Sequence, residues 1–161
     1  MTPTVYTIGV YGLTDNEFFQ RLVDNKIELF IDIRQRRAVR GSKYAFVNSK
    51  RLQARLFELQ IEYLHILELA PTKEIRKIQH ETDKEEGEKK NQRITLGTAF
   101  IKEYTNQILE KFDFPDLIRR LEDKQYQRIV LFCVESEAEA CHRSLVSKKL
   151  CDYLDIKPIN I

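Results

Sequence analysis

The sequence lacks any apolar run close to the ~20 residues that a membrane-spanning helix needs, so no membrane association is expected. Net charge is scarce too, at +2 over 161 residues. No global field draws the chain to a polyanion, and any nucleic-acid argument must rest on a local patch. Cysteines number three, an odd count with no Cys-x-x-Cys pair. That argues against a disulfide framework and for a reducing compartment. The opening residues Met1–Thr4 have no basic region followed by an apolar run, so no signal peptide is expected and the cytoplasm is the expected location. Internal repeats and dividing linkers are absent as well. What remains is 42% hydrophobic and 32% charged. The length suits one domain with a real core, read here as residues 1–161.

Strands and helices alternate along the chain. Thr4-Val5-Tyr6-Thr7-Ile8 is β-branched and aromatic, a good strand, and Gly9 to Gly12 end it. Thr14 stands three residues before Glu17, a capping-box pattern. Phe18, Phe19, Leu22 and Val23 then recur at helical spacing, which predicts a helix over 14–25. Leu29 to Ile33 is apolar on both faces, as in a strand buried between helix layers. Asn48 or Ser49 could cap a helix carrying Leu52, Leu56 and Leu59. Ile61 to Ile66 reads as a third strand. A helix begins near Thr98, and a second follows the break at Asp113-Phe114-Pro115. Arg128 to Cys133 is the most apolar strand. A helix through Leu145, Val146, Leu150 and Tyr153 comes next, and Lys157 to Ile161 closes as a short strand.

Two segments depart from this pattern. Arg34 to Arg55 holds eight basic residues and no acid, with Tyr44 and Phe46 interleaved. Residues 71–93 are crowded with Lys and Glu and read as a charged insertion, a solvated helix or a mobile excursion. His80 falls within it.

The alternation predicts an α/β fold: a single domain with a mostly parallel open sheet of about five strands and helices on both faces. In such sheets ligands bind beyond the carboxyl ends of the strands, where the strand order switches direction. The reactive side chains fall at those ends. Gly9 follows strand one, Asp32, Arg34 and Arg36 end strand two, and His65 and Glu68 end strand three. Cys133, Glu135, Cys141, His142 and Arg143 follow strand four.

The residues also carry a resemblance. Thr7-Ile8-Gly9, Asp32-x-Arg34, and Cys133-x-Glu135 followed by Cys141-His142-Arg143 are similar to the domain-of-unknown-function 488 family of bacterial and archaeal proteins. Tyr63 and His65 match more loosely. The family usually follows Thr-Ile-Gly with His-Ser-Asn, where this chain has Val10, Tyr11 and Gly12. The resemblance implies a small cytoplasmic α/β domain and no particular activity.

Several chemistries fit the clustered residues. In the first, the chain is an enzyme with an anion pocket for a nucleotide or a nucleic-acid-derived phosphate. Asp32 and Glu135 would be acid–base groups, with Cys141 and His142 assisting. Gly9, Arg34, Arg36, His65 and Arg143 would hold the ligand. The bland counterpart is an ion-pair network tying loops together. In the second, the chain is a non-catalytic nucleic-acid or adaptor module that binds through Arg36, Arg37, Arg40, Lys43 and Tyr44. In the third, it is a thiol redox or metal-binding protein. A helix N-terminus at Cys141 would favour a thiolate, whereas Cys133 and Cys151 read as core. A thiol-phosphatase loop is excluded because nine residues, not five, separate Cys133 from Arg143. Zinc from Cys133, Cys141, His142 and His65 would lack the tight Cys-x2–4-Cys knuckle of structural sites, and no metal ligand set is assigned. The sequence names no cofactor and no protein partner.

Overall fold

The computed structural model describes residues 1–87, 95–135 and 137–161. Residues 88–93 of the charged insertion, and Ser136, lie outside the described residues.

Five strands, β1 (Thr4–Ile8), β2 (Leu29–Asp32), β3 (Glu62–His65), β4 (Arg128–Phe132) and β5 (Ile159–Asn160), pair in the order β3-β2-β4-β1-β5. Every pairing is parallel. The α/β fold expected from the alternation of elements is therefore the fold observed. The register decides where the chemistry goes. Ile8 pairs with Phe132, Phe132 with Asp32, and Asp32 with His65, so the ends of four strands lie level. The residues that follow them, Gly9, Cys133, Ile33 and Ile66, start from one line.

Strand alternation sorts the side chains to two faces. Tyr6, Ile8, Phe30, Val130 and Phe132 pack with Phe18, Phe19 and Leu22 of α1 (Asp15–Asp24) and Leu52 and Leu56 of α2 (Ser49–Glu58). Phe18 is the hub, with ring centroids 5.2 to 6.2 Å from Phe19, Phe30, Phe46 and Phe132. Each such buried ring contributes about 1.5–3 kcal/mol. On the opposite face Val5, Leu29, Ile31, Ile129 and Leu131 meet α3 (Lys73–Glu85), α4 (Thr98–Tyr104), α5 (Phe114–Asp123) and α6 (His142–Leu154).

The local signals explain the boundaries. Thr14 Oγ1 accepts from the Glu17 N–H, and Glu17 Oε2 accepts from the Thr14 N–H, so the capping box at α1 is complete. Asp113 caps α5 by accepting from the Asp116 N–H. Asn48 precedes α2 as expected, but its side-chain oxygen accepts from the Val39 N–H and tethers the basic loop instead. The segment after Pro71 forms α3, capped by Thr72, which packs against α4 and joins the core through buried Ile75.

Chain exits create a crevice. After β1 and β2 the chain passes to helices on the α1–α2 face. After β4, which lies between them, it passes to α6 on the other face. The loop after β4 presses on the turn after β1. Val10 and Tyr11 donate N–H bonds to the Val134 carbonyl at 3.0 and 3.1 Å. A Cβ at Gly9 would stand 1.8 Å from the Glu135 carbonyl oxygen. Gly9→Ala should therefore push the 133–143 loop outward and destabilise the chain by about 1–3 kcal/mol, the cost of overpacking. A fall in thermal unfolding midpoint relative to wild type checks this. An unchanged midpoint would mean that the loop does not depend on this close approach.

Candidate functional site

A cavity of about 500 Å³ lies in the crevice beyond the strand ends. Three groups of residues line it. Cys133, Val134, Glu135, Cys141 and His142 come from the exit of β4 and the start of α6. Arg34, Arg36, Arg40 and Tyr44 come from the loop after β2. Arg76, Gln79, His80 and Asp83 come from α3, joined by Phe100 of α4.

On the first wall the β4 register places Cys133 just past the sheet, and the 3-10 turn Ala138–Ala140 brings Cys141 back as the N-cap of α6. His142, the first residue of that helix, stands 3.6 Å from Cys141 Sγ and 3.8 Å from Cys133 Sγ, both measured to Nδ1. Its other nitrogen, Nε2, is 2.8 Å from the Ile33 carbonyl oxygen. A carbonyl only accepts, so Nε2 carries the hydrogen and Nδ1 faces the two sulfurs. The Cys133 thiol donates to Glu135 Oε2 at 3.4 Å. All four residues are buried. Burial alone lowers the basicity of His142, but the Cys133 sulfur, the Ile33 carbonyl and Glu135 outweigh it and the net shift is upward. Burial pushes the Cys141 thiol well up, and Cys133 adds to the shift. At Cys141, loss of water outweighs the helix N-terminus that would favour a thiolate.

The second wall rests on a buried ion pair. Arg34 Nε and Nη2 each donate to Asp32 at 2.9 Å, and the Arg34 backbone N–H also donates to Oδ1. The Tyr63 hydroxyl adds a fourth bond to Asp32 at 2.8 Å. Nη2 donates further to the Val47 carbonyl, and the guanidinium lies 4.7 Å over the Phe132 ring. Arg34 Nη1 is buried and, among the described residues, has no hydrogen-bond partner. His65 Nε2 donates to the Arg34 carbonyl at 2.7 Å and pins the turn from behind.

Not every residue singled out from the sequence reaches the cavity. Cys141, His142, Glu135, Arg34, Arg36, Arg40 and Tyr44 line it, whereas Gly9, Asp32, His65, Arg37, Lys43 and Arg143 are absent from its described lining. Each has another task. Asp32 is fully buried and spends its oxygens on Arg34 and Tyr63. Arg143 is buried, donates to the Glu135 carbonyl and reaches Thr7 Oγ1, so it braces the 133–143 loop from beneath. Gly9 makes room for that loop. Arg37 reaches Tyr63. Lys43 covers the Tyr44 ring, whose hydroxyl accepts from the Gly12 N–H and whose face meets Tyr11 at 5.2 Å. The α3 lining was missed in the sequence. The signal was present in Thr72 as a cap and in Ile75 and Ile78 at helical spacing, but the surrounding charge masked it.

Among the described residues, no helix is long and apolar enough to cross a membrane. The family model that matches the chain is described as a domain of unknown function, DUF488, and it covers residues 14–150. It spans the Asp32-x-Arg34 and Cys133-to-Arg143 motifs, while Thr7-Ile8-Gly9 precedes it. No curated protein matches the chain, and no solved structure does.

Removing the Asp32 carboxylate strands the Arg34 charge in the interior. Asp32→Ala should cost about 3–5 kcal/mol in urea unfolding, as for other broken buried pairs. A loss below 1 kcal/mol, on the order of an exposed pair, would refute that role for the bond. Tyr63 gives a pH signature. Burial, with Asp32 adding and the Arg37 hydrogen bond opposing, pushes its phenol up to about 12. The folded state thus favours the neutral phenol over the unfolded chain, where it ionises near about 10. The stabilisation is complete below that value and lost as pH rises towards the folded one. The stability gap between wild type and Tyr63→Phe should shrink across that alkaline window, and a pH-independent gap would show that Tyr63 titrates normally.

Proposed function

The chain belongs to the DUF488 family, and on that footing we propose that it is an enzyme acting on a phosphate-bearing ligand, a nucleotide or a nucleic-acid end, bound in the cavity beyond the strand ends. The observation that carries this reading is the meeting of unlike groups in one place. Four arginines, Arg34, Arg36, Arg40 and Arg76, line the cavity against two carboxylates, Asp83 and Glu135. That excess favours an anion, and the planar forks of arginine suit phosphate oxygens. Arg34 Nη1, without a hydrogen-bond partner among the described residues, supplies a buried donor whose position the Asp32 pair fixes in advance.

Glu135 takes the acid–base role. It lines the cavity beside Cys133, Cys141 and His142, whereas Asp32 is committed to Arg34. Asp32 therefore acts as a positioning residue. Arg36, Arg40 and Arg76 are exposed and guard the mouth.

A non-catalytic nucleic-acid module draws support from the same exposed Arg36 and Arg40. It has less from Tyr44, which is half-buried, with its hydroxyl held by the Gly12 N–H and its ring beside Tyr11 and Lys43.

The test is a panel of nucleoside mono-, di- and triphosphates and 5′-phosphorylated oligonucleotides, scored for binding and for turnover. Combining Arg36→Ala with Arg40→Ala should weaken binding at least about tenfold, the loss of one or two charge-assisted bonds. Glu135→Gln should keep binding and lose turnover by about 100-fold or more. Undiminished turnover in Glu135→Gln would remove the catalytic reading. Absence of binding by the whole panel at low salt would remove the anion reading.

A further inference from the structure

Cys133, Cys141 and His142 form a cluster that the cavity's charge does not account for. Their ligand atoms all lie within 4.8 Å of one another. A tetrahedral zinc ion, with Zn–S about 2.3 Å and Zn–N about 2.0–2.1 Å, needs its sulfur and nitrogen ligands about 3.5–3.6 Å apart. The distances from His142 Nδ1 are 3.6 Å to Cys141 Sγ and 3.8 Å to Cys133 Sγ. The imidazole is already oriented for this work, because Nε2–H is fixed on the Ile33 carbonyl and the Nδ1 lone pair is left facing the sulfurs. A backbone carbonyl holding the far nitrogen is the usual second-shell partner of a metal-bound histidine.

We propose that Cys133, Cys141 and His142 bind a zinc-class divalent cation whose fourth position faces the cavity. Two sulfurs and a nitrogen are the soft donor set that selects such ions over magnesium or calcium. Binding releases one proton from each thiol, and the two thiolates neutralise the dication, so the buried site gains no net charge. The missing knuckle spacing is no objection. That spacing belongs to structural sites closed by four ligands, whereas a three-ligand site with an open position recruits from separated elements. Here they are a strand exit and a helix start. All three ligands line the cavity, as does Glu135, so the open position and the carboxylate share one space.

The metal also deepens the proposed catalytic function, and in this part the inference rests on that reading. The cation, held by Cys133, Cys141 and His142, would supply a Lewis acid that activates water, and Glu135 would take the proton from that water as it attacks the electrophilic atom of the ligand. The bond to the leaving group breaks, and the leaving group takes the proton from Glu135. The sum is hydrolysis, with no oxidant or reductant required.

The experiment is elemental analysis of the full chain purified from zinc-supplemented cells, followed by Co²⁺ titration of chelator-treated protein. The expected result is a stoichiometric cation, together with a thiolate-to-cobalt charge-transfer band. Cys133→Ser, Cys141→Ser and His142→Ala should each weaken Co²⁺ binding by more than about 100-fold, beyond the loss that a second-shell change brings. Circular dichroism would show that these variants remain folded. Cys151→Ser, deep in α6, should bind as wild type does. Absence of the band in folded wild-type protein would overturn the proposal. So would an equal loss in Cys151→Ser, or a Cys133–Cys141 disulfide in protein kept under reductant. No substrate enters this assay, so metal binding and the catalytic reading stand or fall separately. A chain that binds cobalt while turning over nothing in the panel keeps the first and loses the second.

Discussion

The buried pairing of Asp32 with Arg34 organises one side of this molecule. A carboxylate at the end of a central strand could not stay there alone, because desolvation of a lone charge costs several kcal/mol. Arg34 answers it from two residues away, with a fork and a backbone N–H on the same acid. Tyr63 binds the acid from β3, Val47 binds the guanidinium from the loop before α2, and His65 binds the Arg34 carbonyl. Three segments of chain, the end of β2, β3 and the loop before α2, are thus tied to one charge pair. The turn that leaves the sheet has little freedom, and its spare donor sits at the floor of the cavity.

The other side is built on steric fit. The turn after β1 and the loop after β4 approach so closely that only glycine serves at position 9. Arg143 fills the space beneath, one of the largest fully buried side chains in the fold. It donates to the Glu135 carbonyl and reaches the Thr7 hydroxyl. The motif of cysteine, glutamate, cysteine, histidine and arginine after β4 therefore divides its labour. Four members face the cavity, and the fifth keeps them there.

The fold was legible because its signals agreed across levels. β-branched runs gave strands, the Thr14–Glu17 box gave a helix start, and Asp113 with Pro115 gave another. The alternation of elements then implied a parallel sheet. The gathering of Cys141, His142, Glu135 and Arg34 at one place was legible too, since parallel topology sends all strand ends to one edge. Side-chain direction was not. Asp32 and Glu135 are both acids after strands. Only the register and the arginine two residues on show that the first is committed to a buried ion pair, while the cavity lining shows that the second faces the crevice. The lining from α3 escaped for a different reason. A helix with two isoleucines among lysines and glutamates looks like a solvated surface until the cavity beside it is seen. The tail of that insertion, 88–93, lies outside the described residues.

The cavity's walls answer to different constraints. Cys133, Glu135, Cys141 and His142 are locked to the sheet through Gly9, Arg143 and the Ile33 carbonyl, so a change among them disturbs the core. Arg76 and His80 project from an exposed face of α3, whose hold on the sheet side rests on inward residues such as Ile75. Their identities can change without repacking anything. Under the proposed function, reaction chemistry and ligand selection would thereby be encoded in separate parts of the chain. On that reading, sequences sharing the motif after β4 would diverge in what they admit while keeping what they do to it, and α3 is the place to look for that divergence.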